Sequence, residues 1–188
     1  MDIHQLQVSY QMEQDRLLVR LNTHSGEELR LWLTRRMIKN LFPHMIRASI
    51  ETDAASMQLT SHDGADSRAL SQFRKQESLQ QADFQTAFKG EASVLPMGTE
   101  PLLVTTVHVT PLESGALRLA FEENMPGSTT NRRCEVILAP PLLHGFMHLL
   151  ETALKHTDWG LTLAEPSEAP DNASLDPLAT ALPPKYLN

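Results

Sequence analysis

A chain of 188 residues, 41% hydrophobic but only 5% aromatic, can fill a core built mainly from Leu, Val, Ile and Met. Its 23 acidic against 16 basic side chains give a net charge of -7, which counts against a generally basic nucleic-acid coat. No apolar run is long enough to cross a bilayer, the N-terminus lacks the basic and apolar regions of a signal peptide, and the lone Cys134 cannot form an internal disulfide. The expected location is therefore the cytoplasm, away from membranes.

In chain order, residues 5–10, 16–21 and 28–33 read as strands, because Leu17, Val19 and Leu21 alternate on one side and Leu29, Leu31 and Leu33 do the same. His24-Ser25-Gly26 supplies the turn between the last two. Thr34 is placed to cap a helix whose Met37, Ile38, Leu41, Phe42 and Met45 form an apolar stripe, and Pro43 should kink or end it. Residues 52–66 are small and polar and read as a connection with a short strand at 57–59. The Gln-rich stretch from 67 to about 87 favours a helix that lies over the rest of the fold, since Leu70, Phe73, Leu79, Phe84 and Phe88 form no clean stripe.

After Pro101, strands are expected near 102–109, 116–121 and 134–138. Pro140 and Pro141 suit the first turn of a helix, where the missing N–H has no intrahelical partner. Leu142, Phe146, Leu149, Leu150, Ala153 and Leu154 give that helix an apolar face, and Gly160 is its expected stop. Residues 164–188 are acidic, contain proline and hold few core residues, which predicts a disordered tail dispensable for folding.

Residues 31–42 read in register with 136–147, strand over strand and helix over helix, and the strands upstream also find counterparts. The expected fold class is α+β: two pseudo-repeated strand-rich units, 5–50 and 101–160, each closed by a helix. A connecting helical segment, 51–100, lies between them, 1–163 form one domain, and the tail follows. Strands closed by a helix and written twice are similar in topology to the whirly and Pur-type nucleic-acid-binding folds, though no motif of either stands in these residues.

No nucleophile elbow, phosphate loop or dinucleotide glycine pattern is present, and the paired acids Glu27-Glu28 and Glu122-Glu123 diverge as sequence neighbours. The sequence therefore implies a non-enzyme with no cofactor and no small-molecule ligand. His144 and His148 have the four-residue helical spacing that can hold a metal. No third ligand is placed beside them, so they are expected on an exposed polar helix face and no metal site is assigned.

Binding chemistry centres on the first unit, whose residues 1–50 carry 7 basic and 5 acidic groups while every later segment is net acidic. Arg35 and Arg36 fall in the first turn of a helix, where the dipole disfavours cations by a few tenths of a kcal/mol each. Either an external anion or a local acid such as Glu27 or Glu28 should compensate them. Strand alternation places Arg30 and Trp32 opposite the leucines, with Arg20 and Arg118 on the same side. Trp among arginines suits a protein interface or the stacking of single-stranded bases, unless the middle helix or the other unit covers it. The expected binding residues are Arg20, Arg30, Trp32, Arg35, Arg36 and Lys39. A protein partner or self-association is the first expectation, and single-stranded nucleic acid is the alternative.

Overall fold

The computed structural model describes residues 3–56, 64–81, 88, 94–125, 127 and 131–161. The fold is mixed α+β, with two sheets and three α-helices among these residues. It begins with an antiparallel meander of β1 (Ile3–Gln11), β2 (Arg16–Thr23) and β3 (Glu28–Leu33). Register sets Leu17 against Leu33, Val19 against Leu31 and Leu21 against Leu29, so the alternation in the sequence becomes one buried apolar face. Gly26, at φ 81, closes the second turn in the left-handed region, and its N–H donates to the Thr23 carbonyl.

Helix α1 (Arg35–Ser56) starts where Thr34 Oγ1 accepts from the Met37 N–H at 3.2 Å. Pro43 lies inside it, so of the two expected outcomes, a kink or an end, the helix does not end there. The apolar stripe continues beyond the proline through buried Met45, Ile46 and Ala48, and their burial offsets the lost backbone hydrogen bond. The helix therefore runs past residue 50 and takes in 52–56, which were expected as a connection. The strand expected at 57–59 lies outside the described residues.

Helix α2 (Gly64–Gln81) confirms the middle helix and packs against α1 and the last helix, although Phe73, expected as a contact, is 65% exposed. Phe84 lies outside the described residues. Further on, Val94 bridges to Glu27, and β4 (Leu102–Leu103) adds to β3 in parallel. Residues 102–103 thus complete the first sheet, in the order β1-β2-β3-β4, instead of opening the second unit. Leu102, fully buried, fills the edge that β3 would otherwise leave open.

The second sheet is the meander β5 (Thr106–Pro111), β6 (Leu117–Glu123), β7 (Arg132–Leu138), whose Leu117, Leu119, Phe121, Cys134, Val136 and Leu138 face inward. Helix α3 (Pro140–Leu154) opens on its two prolines as expected. It ends well before Gly160, where Thr157 Oγ1 donates to the Leu154 carbonyl at 2.9 Å and caps the last turn. The sheets adjoin where the Val104 N–H donates to Trp32 O and the Thr105 N–H to Glu122 O. The helix that follows each meander lies along the first strand of the other, α1 beside β5 and α3 beside β1. Buried residues of both sheets, α1 and α3 form one apolar cluster.

One corner ties the far ends of the described chain together. Asp15, in the β1–β2 turn at φ 48, accepts from the Tyr10 hydroxyl at 2.9 Å and from Nε1 of buried Trp159. The Tyr10 and Trp159 rings meet edge to face at 6.0 Å. Hydrogen bonds from Trp159 and Tyr10, helped by the charge of nearby Arg35, hold the Asp15 carboxyl below its usual range. No helix among the described residues is long and apolar enough to cross a membrane. The expected tail, 164–188, lies outside the described residues.

Candidate functional site

The outer face of the first sheet is set by the register that buries its leucines. Gln7, Arg20 and Arg30 form one cross-strand row, and Ser9, Leu18, Trp32 and Leu103 form the next. Sequence alternation therefore placed Arg20, Arg30 and Trp32 together correctly. It did not reveal that Glu28, on the same face, has a fully buried side chain. Glu28 Oε1 accepts from Arg20 Nε and Arg30 Nε, both at 2.7 Å, and Oε2 accepts from Arg20 Nη2 at 3.0 Å. Burial opposes ionisation of that carboxyl, but the hydrogen bonds and charges of the two guanidinium groups outweigh it and hold its pKa below the usual value. Arg20 also donates to Gln7 Oε1 at 3.2 Å and lies 4.5 Å from the centre of the Phe88 ring.

Trp32 is half-buried beside Leu18 and Leu103, so it is neither a core residue nor a fully exposed anchor. Ile137, the residue expected to correspond to it if the chain is a repeat, is 40% exposed on the other sheet. Arg118 does not join this face. It stands on the outer face of the second sheet, paired with Glu135 at 3.2 Å, because alternation fixes which side of a sheet a residue takes but not which sheet it belongs to.

Arg35, Arg36 and Lys39 are exposed on the first two turns of α1. Neither proposed local acid takes them up: Glu28 is committed to Arg20 and Arg30, and Glu27 accepts from Ser25 Oγ at 3.2 Å. Among the described residues none of the three cations makes an ion pair. The six expected binding residues thus fall into two groups, Arg20, Arg30 and Trp32 on a sheet face and Arg35, Arg36 and Lys39 on a helix.

Of the histidine pair expected on an exposed polar face, His148 is half-buried and His144 is a clear correction. His144 is 1% exposed at the junction of the three helices, not on a polar surface. Its Nε2 lies 3.2 Å from Ser49 Oγ and 3.9 Å from Asp53 Oδ2, and its Nδ1 lies 3.1 Å from Ser78 Oγ. Arg74 of α2 donates to Asp53 Oδ1 at 3.2 Å, and Lys75 pairs with Glu151 at 2.8 Å nearby. Burial lowers the His144 pKa against the attraction of Asp53, with Lys75 and Arg74 lowering it further. A signal was available, since Ser49 and Asp53 interrupt an otherwise apolar helix face at i and i+4.

Chemically, Ser49 and Asp53 approach the same ring nitrogen, so the acid is not placed to orient an imidazole that activates the serine. The adjoining cavity has a volume of only about 40 Å³, room for a few water molecules. Cys134 is buried, and loss of solvation pushes its thiol up to about 11, which keeps it protonated. Among the described residues no group of three His, Cys, Asp or Glu could hold a metal ion. No family model, curated protein or solved structure matches the chain.

Proposed function

We propose that this chain is a non-enzymatic protein of the cytoplasm that binds a protein partner through the outer face of its first sheet, around Trp32. The observation that carries the reading is the commitment of Arg20 and Arg30 to the buried carboxylate of Glu28. Arginines so paired have little charge left for a phosphate backbone. They frame a half-buried Trp32 flanked by Leu18 and Leu103, the amphipathic setting that anchors protein interfaces. In the same reading the two meander-plus-helix units are copies of one ancestral unit. The reciprocal placement of α1 beside β5 and α3 beside β1 supports that view.

Single-stranded nucleic acid remains the second reading, favoured by the exposed Arg35, Arg36 and Lys39, which make no ion pair among the described residues. An affinity pull-down from the native host separates the two when run with the native chain, Trp32→Ala and an Ile137→Ser control on the other sheet. The proposal expects one protein captured by the native chain and the control, lost with Trp32→Ala and unaffected by nuclease. Capture that survives Trp32→Ala removes the sheet face from the account. Capture abolished by nuclease transfers it to nucleic acid.

A further inference from the structure

The exposed face of α1 is lined with basic side chains that make no ion pair among the described residues. Arg35, Arg36, Lys39, His44 and Arg47 are all exposed, and no acidic residue occurs between 35 and 50. At 1.5 Å per residue this basic stripe is about 18 Å long. None of its cations makes an ion pair among the described residues, and Glu51, one turn beyond Arg47, is the first acid met along the helix. Arg35 and Arg36 sit at the positive end of the helix dipole, so helix stability does not explain them. The far end of the stripe opens into a groove of about 480 Å³, where His44, Arg47 and Glu51 face β5.

The exit of the chain lies beside the near end. Trp159 is bonded to Asp15, whose carboxyl feels the charge of Arg35, so the chain leaves the described fold close to the start of α1. Beyond Leu161 stand 27 residues that carry Glu165, Glu168, Asp171 and Asp176 against a single Lys185. Three residues separate Leu161 from Glu165, about 13 Å of extended chain, and the acids then extend over a further length of about 36 Å. Negative charge, reach and point of departure all match the stripe.

We propose that residues 165–176 of this chain dock on the basic stripe of α1, with their carboxylates against Arg35, Arg36, Lys39 and Arg47. Each exposed pair contributes little by itself. Tethering compensates, because a linked segment experiences an effective concentration on the order of millimolar, enough to hold a contact of millimolar affinity. The docked acids would occupy the surface that an external polyanion needs, so the contact is autoinhibitory toward such ligands. This inference stands apart from the Trp32 reading and fails or holds independently of it.

The test compares amide NMR spectra of the full chain and of a chain truncated after Leu163, both at low salt. Shift changes should concentrate at residues 35–47. Synthetic peptide 164–188 added to the truncated chain should restore them, and its affinity should weaken at least about tenfold between roughly 20 and 200 mM salt. If truncation disturbs folding, the full chain carrying Glu165→Gln, Glu168→Gln, Asp171→Asn and Asp176→Asn gives the same comparison. Superposable α1 spectra with and without the acids, or changes confined to other elements, overturn the proposal.

Discussion

On the outer face of the first sheet Arg20 and Arg30 converge on a carboxylate with no solvent exposure, whereas on the second sheet Arg118 and Glu135 pair with 43% of each side chain exposed. The chemistry is the same and the energetics are not. Glu28 must be ionised and paired because its alternative is an unsatisfied buried group. Arg118 and Glu135 keep enough solvent contact that water could take over most of their pairing, although Glu122, which pairs with Arg133 beside them, is largely buried. A charged sheet face therefore reveals its role through what its ions are bound to, not through its composition.

The largest effect should come from Glu28→Ala, which strands two guanidinium groups against each other and is expected to cost about 3 kcal/mol or more in chemical unfolding. A cost near that of a surface substitution would erase the contrast between the faces. Next, His144→Ala removes a buried ring that meets Ser49 and Ser78 and should cost about 2–3 kcal/mol. Its pH dependence is equally specific. Because the folded pKa lies below the unfolded value of 6.5, the unfolded chain binds the proton first on acidification. Stability should be level above that value and decline as pH falls from about 6.5 toward the lowered folded pKa. Glu28 titrates in a separate window, losing its contribution only as pH falls through its depressed carboxylate pKa. In unfolding measured across pH, the His144→Ala variant should lack the upper decline.

Trp32→Ala should be milder, about 1–2 kcal/mol in thermal or denaturant unfolding, because the side chain is only half-buried. A loss above about 3 kcal/mol would show that Trp32 belongs to the core and not to a binding face. Least of all, Arg118→Ala should change stability by no more than about 0.5 kcal/mol, and a larger loss would place the second face on the same footing as the first.

How legible these features were in the sequence follows from the range of the interactions behind them. The strand faces could be read because Leu17, Val19 and Leu21 alternate within one segment, and the same alternation put Arg20, Arg30 and Trp32 together. Helix starts at Thr34 and Pro140 were local chemistry and were read correctly. The persistence of α1 through Pro43 depended on tertiary burial of Met45 and Ile46. The burial of His144 depends on Ser49, 95 residues away, and on Ser78, 66 residues away, which no local pattern brings together. The transfer of Leu102 and Leu103 to the first sheet likewise reflects the open edge of β3, a need created elsewhere in the fold.

The central claim, that Trp32 sits among committed ions on a protein-binding face, is tested most directly by its own fluorescence. With Trp159→Phe, Trp32 is the sole tryptophan. Titration with a single-stranded oligonucleotide at low salt, where phosphate contacts are strongest, should leave its emission unchanged even if α1 binds the strand. Saturable quenching that disappears in Arg30→Ala would mean that bases stack on Trp32 beside an available arginine, and it would contradict the account.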